Sequence, residues 1–167
     1  MNWEAIGTIA EIVGTLAVIV TLAYLTVQIR DGARASRSAA VTDATTAMQA
    51  WYQELGSNAE SAKLFLDGMT NPDTLSRHEL FQFVMLVHAA FLGFQRTYFL
   101  SQARTLDVSL RDSIGTAIRA VNQMPGMAFY WRHRRDFFQP EFARWIEELL
   151  EREPVSGGIF GSPNTPQ

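Results

Sequence analysis

Hydrophobic and polar positions divide the chain into one long, uniformly apolar stretch followed by a series of shorter amphipathic ones. The first is WEAIGTIAEIVGTLAVIVTLAYLTVQIR, Trp3 to Arg30, in which Ile12 to Ile29 are 18 consecutive residues without a charge. At 1.5 Å per helical residue this is about 27 Å, close to the hydrocarbon thickness of a bilayer, and it predicts a transmembrane helix over residues 1–30. A cleaved signal sequence fits less well. Such segments carry a basic leader and a short apolar core, whereas Glu4 and Glu11 open this one.

Beyond Arg30 the period changes to that of packed helices. Gly32 is a weak interruption, so the anchor is expected to run on into a first bundle helix ending near Leu55-Gly56, with Val41, Ala44, Met48, Trp51, Tyr52 and Leu55 at spacings of three and four. Asn58 is the next cap, for a short helix over about 59–68, and Asn71-Pro72-Asp73 is a turn. Ser76-Arg-His-Glu79 has the form of a capping box opening a helix that is apolar on nearly every side, the pattern of a bundle's central helix. A second span over Leu80 to Phe94 is the rival reading, but 15 residues containing Gln82 and His88 are short for one. Asp107 or Ser109 caps a helix with Leu110, Ile114, Ala117, Ile118 and Val121 on one stripe, and Met124-Pro125-Gly126 breaks it. Phe129 to Arg135 reads as a compact aromatic and basic helix. Gln139-Pro140 starts the last, whose Phe142, Trp145, Ile146, Leu149 and Leu150 follow the i, i+3, i+4, i+7, i+8 pattern. No segment alternates polar and apolar, so the expected fold is all-α: an anchor at 1–30, a cytoplasmic helical bundle at 31–152 and a Pro/Gly-rich tail at 153–167.

The anchor contains a repeat, Glu4-Ala-Ile-Gly-Thr-Ile-Ala10 followed directly by Glu11-Ile-Val-Gly-Thr-Leu-Ala17. An interval of seven is close to two helical turns, so Gly7, Gly14 and Thr21 share a face with Ala10 and Ala17 beside them. Small residues on one stripe let a second helix approach closely. Glu11 is an ionisable group at or inside the membrane rim, where it is expensive unless it faces protein or water. Arg30, Arg34 and Arg37 follow the helix, and by the positive-inside rule they place the N-terminus outside and the bundle in the cytoplasm, with Trp3 marking the outer interface.

The opening MNWEAIGTIAEIVGTLAVIVTLAYLTVQIR together with PGMAFYWRHRRDFFQPEFARWIEELL resembles a group of bacterial proteins. They share the Glu-Ala-Ile-Gly and Glu-Ile-Val-Gly phrases, the Val-Gln-Ile-Arg exit, and a Trp-x-x-x-Arg-Arg and Pro-Glu-Phe segment. The resemblance implies a bacterial inner-membrane protein with a single span. The group has no assigned activity, so it implies nothing chemical.

Composition narrows the chemistry. A net charge of -3 and a pI near 5.6 give no electrostatic case for nucleic acid. The absence of cysteine excludes disulfides, thiolate metal sites and cysteine nucleophiles. His78 and His88, ten apart, lack the spacing of metal ligands on one helix face and read as a surface and a core histidine. Arg132, His133, Arg134 and Arg135 form a basic run that reads as a solvated face, or else as a dock for anionic headgroups. No phosphate loop, nucleophile triad or metalloprotease phrase occurs, and no cofactor is expected. The favoured function is a membrane-tethered interaction module whose partners are other membrane helices, as a homo-oligomer or an accessory subunit of a larger complex, and the bilayer with its anionic headgroups. The alternatives are a pore with Glu11 ringing its axis and a small-ligand site within the aromatic-rich bundle.

Overall fold

A computed structural model describes residues 3–155, with side chains from Glu11 onward. The part of the Pro/Gly-rich tail from residue 156 on lies outside the described residues. Among the described residues there are six α-helices, two 3₁₀ turns and no strand, in agreement with the expected all-α class. The chain divides between Ala39 and Ala40 into two compact units. Helix α1 (Trp3–Ser57) supplies the described part of the first and opens the second, without interruption at Gly32. A lone glycine costs only about 1 kcal/mol in a helix, too little to break one this long.

In the second unit the local signals act where the sequence puts them. Asn58 caps α2 (Ala59–Thr70), its side chain accepting from the N–H groups of Glu60 and Ser61 at 3.1 and 3.2 Å. Ser76 and Glu79 form the reciprocal capping box of α3 (Arg77–Gln102), and the Ser76 bonds hold the Glu79 carboxyl below its usual range. The C-terminus of α3 is a Schellman motif in which Arg104 N–H donates to Ser101 O and Thr105 N–H to Leu100 O. Arg104 takes the left-handed position at φ 55°, where glycine is usual. Asp107, rather than Ser109, caps α4 (Val108–Arg119).

Helix α5 (Pro125–Arg134) begins four residues earlier than the aromatic pattern predicts. Pro125 sits at its first position, where a proline suits a helix start, but it does not end the preceding helix: α4 stops earlier, at Arg119, and residues 120–124 connect the two. A 3₁₀ turn over Arg135–Phe137 leads to α6 (Pro140–Leu150).

Helix α3 is the axis of this bundle. It packs on α2, α4 and α5, and α6 covers α4. By length and composition α3 could cross a membrane. Its Phe83, Val84, Val87, Ala90, Phe91, Phe94 and Tyr98 are instead buried by the neighbouring helices, which is the environment of a core helix. From α6, Phe142, Ala143, Ile146 and Leu149 close the core. The expected stripe on α1 is realised in part: Ala44 is buried and Met48, Trp51 and Leu55 are half-buried, but Val41 and Tyr52 are exposed.

Two glycines set the closest helix approach. At Gly126 an added Cβ would stand 2.2 Å from the Gly68 carbonyl oxygen and 2.5 Å from Met69 Cα, so the first turn of α5 rests directly on the backbone of α2.

Candidate functional site

In the first unit α1 is long and apolar enough to span a membrane. Its large apolar side chains, from Ile12 to Ile29, are 48 to 71% exposed and point in every direction around the helix, which water disfavours and a bilayer does not. The polar groups in this stretch are satisfied locally. The hydroxyls of Thr15, Thr21 and Thr26 donate to the carbonyls of Glu11, Ala17 and Leu22 at 2.8 to 2.9 Å, and Gln28 donates to the Tyr24 hydroxyl at 2.9 Å. Hydrocarbon offers no hydrogen-bond partners, so internal pairing is what a spanning helix requires.

The predicted association stripe lies open on this helix. A Cβ added at Gly7 or Gly14 would meet nothing within 4 Å, and Glu11, Ala17 and Thr21 are exposed. The side chains of Trp3 and Ala10 lie outside those described. Arg30, Arg34 and Arg37 are exposed at helical spacings of four and three, which puts them on one side of α1.

The second unit contains a feature that the sequence reading did not locate. An apolar cleft of about 520 Å³ lies between the end of α1 (Trp51, Tyr52, Leu55), α2 (Phe65, Leu66, Met69), α3 (Val87, Ala90, Phe91, Phe94), the end of α4 (Ala117, Ile118) with Val121 just beyond it, and Met127 of α5. Protein interiors hold few voids larger than a water molecule, and small-molecule sites run from about 300 to 1,000 Å³. The space exists because Gly56, Ala62, Ala90, Ala117 and Ala120 are too short to reach across it. Tyr52, Gly56, Leu66 and Ala117 are both lining and solvent-exposed, so they mark its mouth. Trp51 is held in place by its indole N–H, which donates to the Leu86 carbonyl at 2.9 Å, and by the edge of Phe65, whose ring centre is 5.6 Å away.

His78 and His88 separate as expected in part. His78 is exposed; His88 is half-buried, and its Nδ1 lies 2.9 Å from the Tyr130 hydroxyl, tying α3 to α5. Burial lowers the His88 pKa, and the positive charge of Arg134 adds to this; burial pushes the Tyr130 phenol above its ordinary range. The pair is therefore neutral at pH 7, and it does not line the cleft. No group of three or more metal-ligating side chains occurs among the described residues.

The basic run does not make one patch. Arg132 is exposed, His133 lies 2.8 Å from the Phe129 carbonyl, Arg134 stacks over the Phe137 ring at 4.8 Å, and Arg135 pairs with Glu147 and Asp136. Successive helical residues differ by about 100° in direction, which sends consecutive charges to different neighbours. The fold and these features define an all-α protein with a membrane-length apolar helix and a helical bundle enclosing an apolar cleft. No family model, curated protein or solved structure matches the chain.

Proposed function

We propose that the chain is a membrane-tethered helical interaction module, working as a homo-oligomer or as an accessory subunit of a larger inner-membrane complex, and acting by binding rather than by catalysis. One observation carries this reading. The apolar stretch of α1 is exposed on all sides, yet along one stripe, at Gly7 and Gly14, it offers no side chain to fill the gap against a lipid or a neighbour. Such a stripe suits the close approach of a second helix better than it suits lipid tails.

Gly14→Leu is expected to weaken association in the bilayer roughly tenfold, whereas Val20→Leu, on the lipid side, leaves it unchanged. Energy transfer between donor- and acceptor-labelled chains in liposomes, measured against dilution in lipid, tests this. Equal effects of the two substitutions would remove the stripe from the proposal.

The arginines at 30, 34 and 37 orient the module with its N-terminus outside and the bundle in the cytoplasm. A reporter active only in the periplasm should be silent when fused after Pro154 and active when placed before Trp3. An active C-terminal fusion would reverse the orientation or require α3 to cross the membrane.

A further inference from the structure

We propose that the apolar cleft of the second unit binds a single hydrocarbon chain, the acyl chain of a fatty acid or of a membrane phospholipid, with its polar head left outside at the mouth. The proposal stands on the cleft and is independent of which helix the anchor associates with.

The lining decides the class of guest. Its side chains are aliphatic or aromatic, and only Trp51 and Tyr52 carry a hydrogen-bonding group. The Trp51 N–H is already given to the Leu86 carbonyl, and Tyr52 stands at the exposed edge. A sugar, nucleotide or peptide entering the cleft would leave polar groups unpaired, and nothing inside could answer a charge. A hydrocarbon chain loses nothing of this kind. It gains with every methylene removed from water.

Size separates a chain from a helix. An α-helix with side chains is about 10–12 Å across and advances about 5.4 Å per turn, so a space of this volume takes roughly one turn. Helix-in-groove recognition needs anchors spread over two turns or more. A slender chain needs no such length of groove, and the half-open mouth between Tyr52, Leu66 and Ala117 lets its head group remain hydrated while its tail is covered. The membrane-length helix of the same chain keeps the bundle tethered to a reservoir of acyl chains.

The test uses the full chain held in amphipathic polymer without lipid, titrated with cis-parinaric acid, a fluorescent fatty acid that accepts energy from tryptophan. Saturable binding of one probe per chain is expected. Ala117→Trp, which fills the mouth, and Leu66→Glu, which puts a charge there, should each weaken it roughly tenfold without lowering the melting temperature, since both positions are exposed. Oleate and phosphatidylcholine vesicles then serve as competitors. Displacement by oleate alone assigns the site to free fatty acids, and displacement by both assigns it to acyl chains wherever they are attached; either result supports the proposal. Absence of saturable binding would overturn it, as would saturation unchanged by both substitutions. So would binding that appears only after residues 156–167 are deleted, because the cleft would then belong to the chain's own C-terminal segment.

Discussion

Gly126→Ala should lower the melting temperature of the helical bundle by on the order of 10 °C, although it adds a single methyl group. The methyl would fall 2.2 Å from the Gly68 carbonyl oxygen, 2.5 Å from Met69 Cα and 2.9 Å from the Gly68 carbonyl carbon. All three are backbone atoms, so no side chain can rotate out of the way. The first turn of α5 would have to lift off α2 and take Met127, buried beside it, along. Overpacking costs about 1–3 kcal/mol where side chains can adjust, and this case belongs at or above the upper end. At about 4 °C per kcal/mol for a domain of this size, roughly 10 °C follows. Gly93→Ala is the matched control. A Cβ there meets nothing within 4 Å, and alanine is favoured over glycine by about 1 kcal/mol inside a helix, so this variant should melt slightly higher. Near-ultraviolet circular dichroism, which reports the aromatic core rather than the anchor, is the measurement. A Gly126→Ala protein that melts within 2 °C of the parent would show that α5 does not rest on α2 as described.

The second large effect is expected at Phe91, the hub of the aromatic core. Its ring centre lies 4.9 Å from Tyr130, 5.3 Å from Phe94, 5.7 Å from Trp131 and 5.9 Å from Phe138, and it is 1% exposed. These neighbours come from three separate parts of the chain, so Phe91→Ala removes contacts among α3, α5 and the segment entering α6 together. The residue also forms part of the cleft wall, which means the space it vacates joins an existing void instead of being closed by small shifts. Truncation of a buried phenylalanine costs about 3–5 kcal/mol, and the upper half of that range applies where collapse is blocked. Phe81→Ala, on the same helix but 61% exposed, should cost less than about 0.5 kcal/mol. Urea denaturation of the full chain in detergent, followed by tryptophan fluorescence, checks both. Similar midpoints for the two variants would remove Phe91 from the centre of the core.

How much was legible beforehand depended on how far each feature reaches along the chain. The caps at Asn58 and Ser76 are satisfied within three residues, so they can be read from short phrases and occur in the structure as read; between Asp107 and Ser109, both able to cap, the structure selects Asp107. Met124-Pro125-Gly126 reads as the break of one helix, whereas in the structure α4 already ends at Arg119 and Pro125 instead opens α5, four residues before the aromatic pattern begins. Val41 and Tyr52 fit the apolar stripe of α1 and are nevertheless exposed. Periodicity fixes a helix face; the width of that face actually covered depends on neighbours that periodicity does not describe.

The sequence by itself determined that the fold is all-α among the described residues and that its N-terminal helix is apolar and of membrane length. Both properties follow from composition and spacing over a few turns. Only the tertiary structure decided what the alanines and glycines do. Gly126 and Gly68 bring two backbones into contact, while Ala90, Ala117 and Ala120 line a cleft that their short side chains leave open. A small side chain looks the same in a sequence whether its surroundings reach it or fall short. That difference depends on groups as far apart as Trp51 and Met127, brought together by five separate elements. The tie between His88 and Tyr130, 42 residues apart, has the same origin.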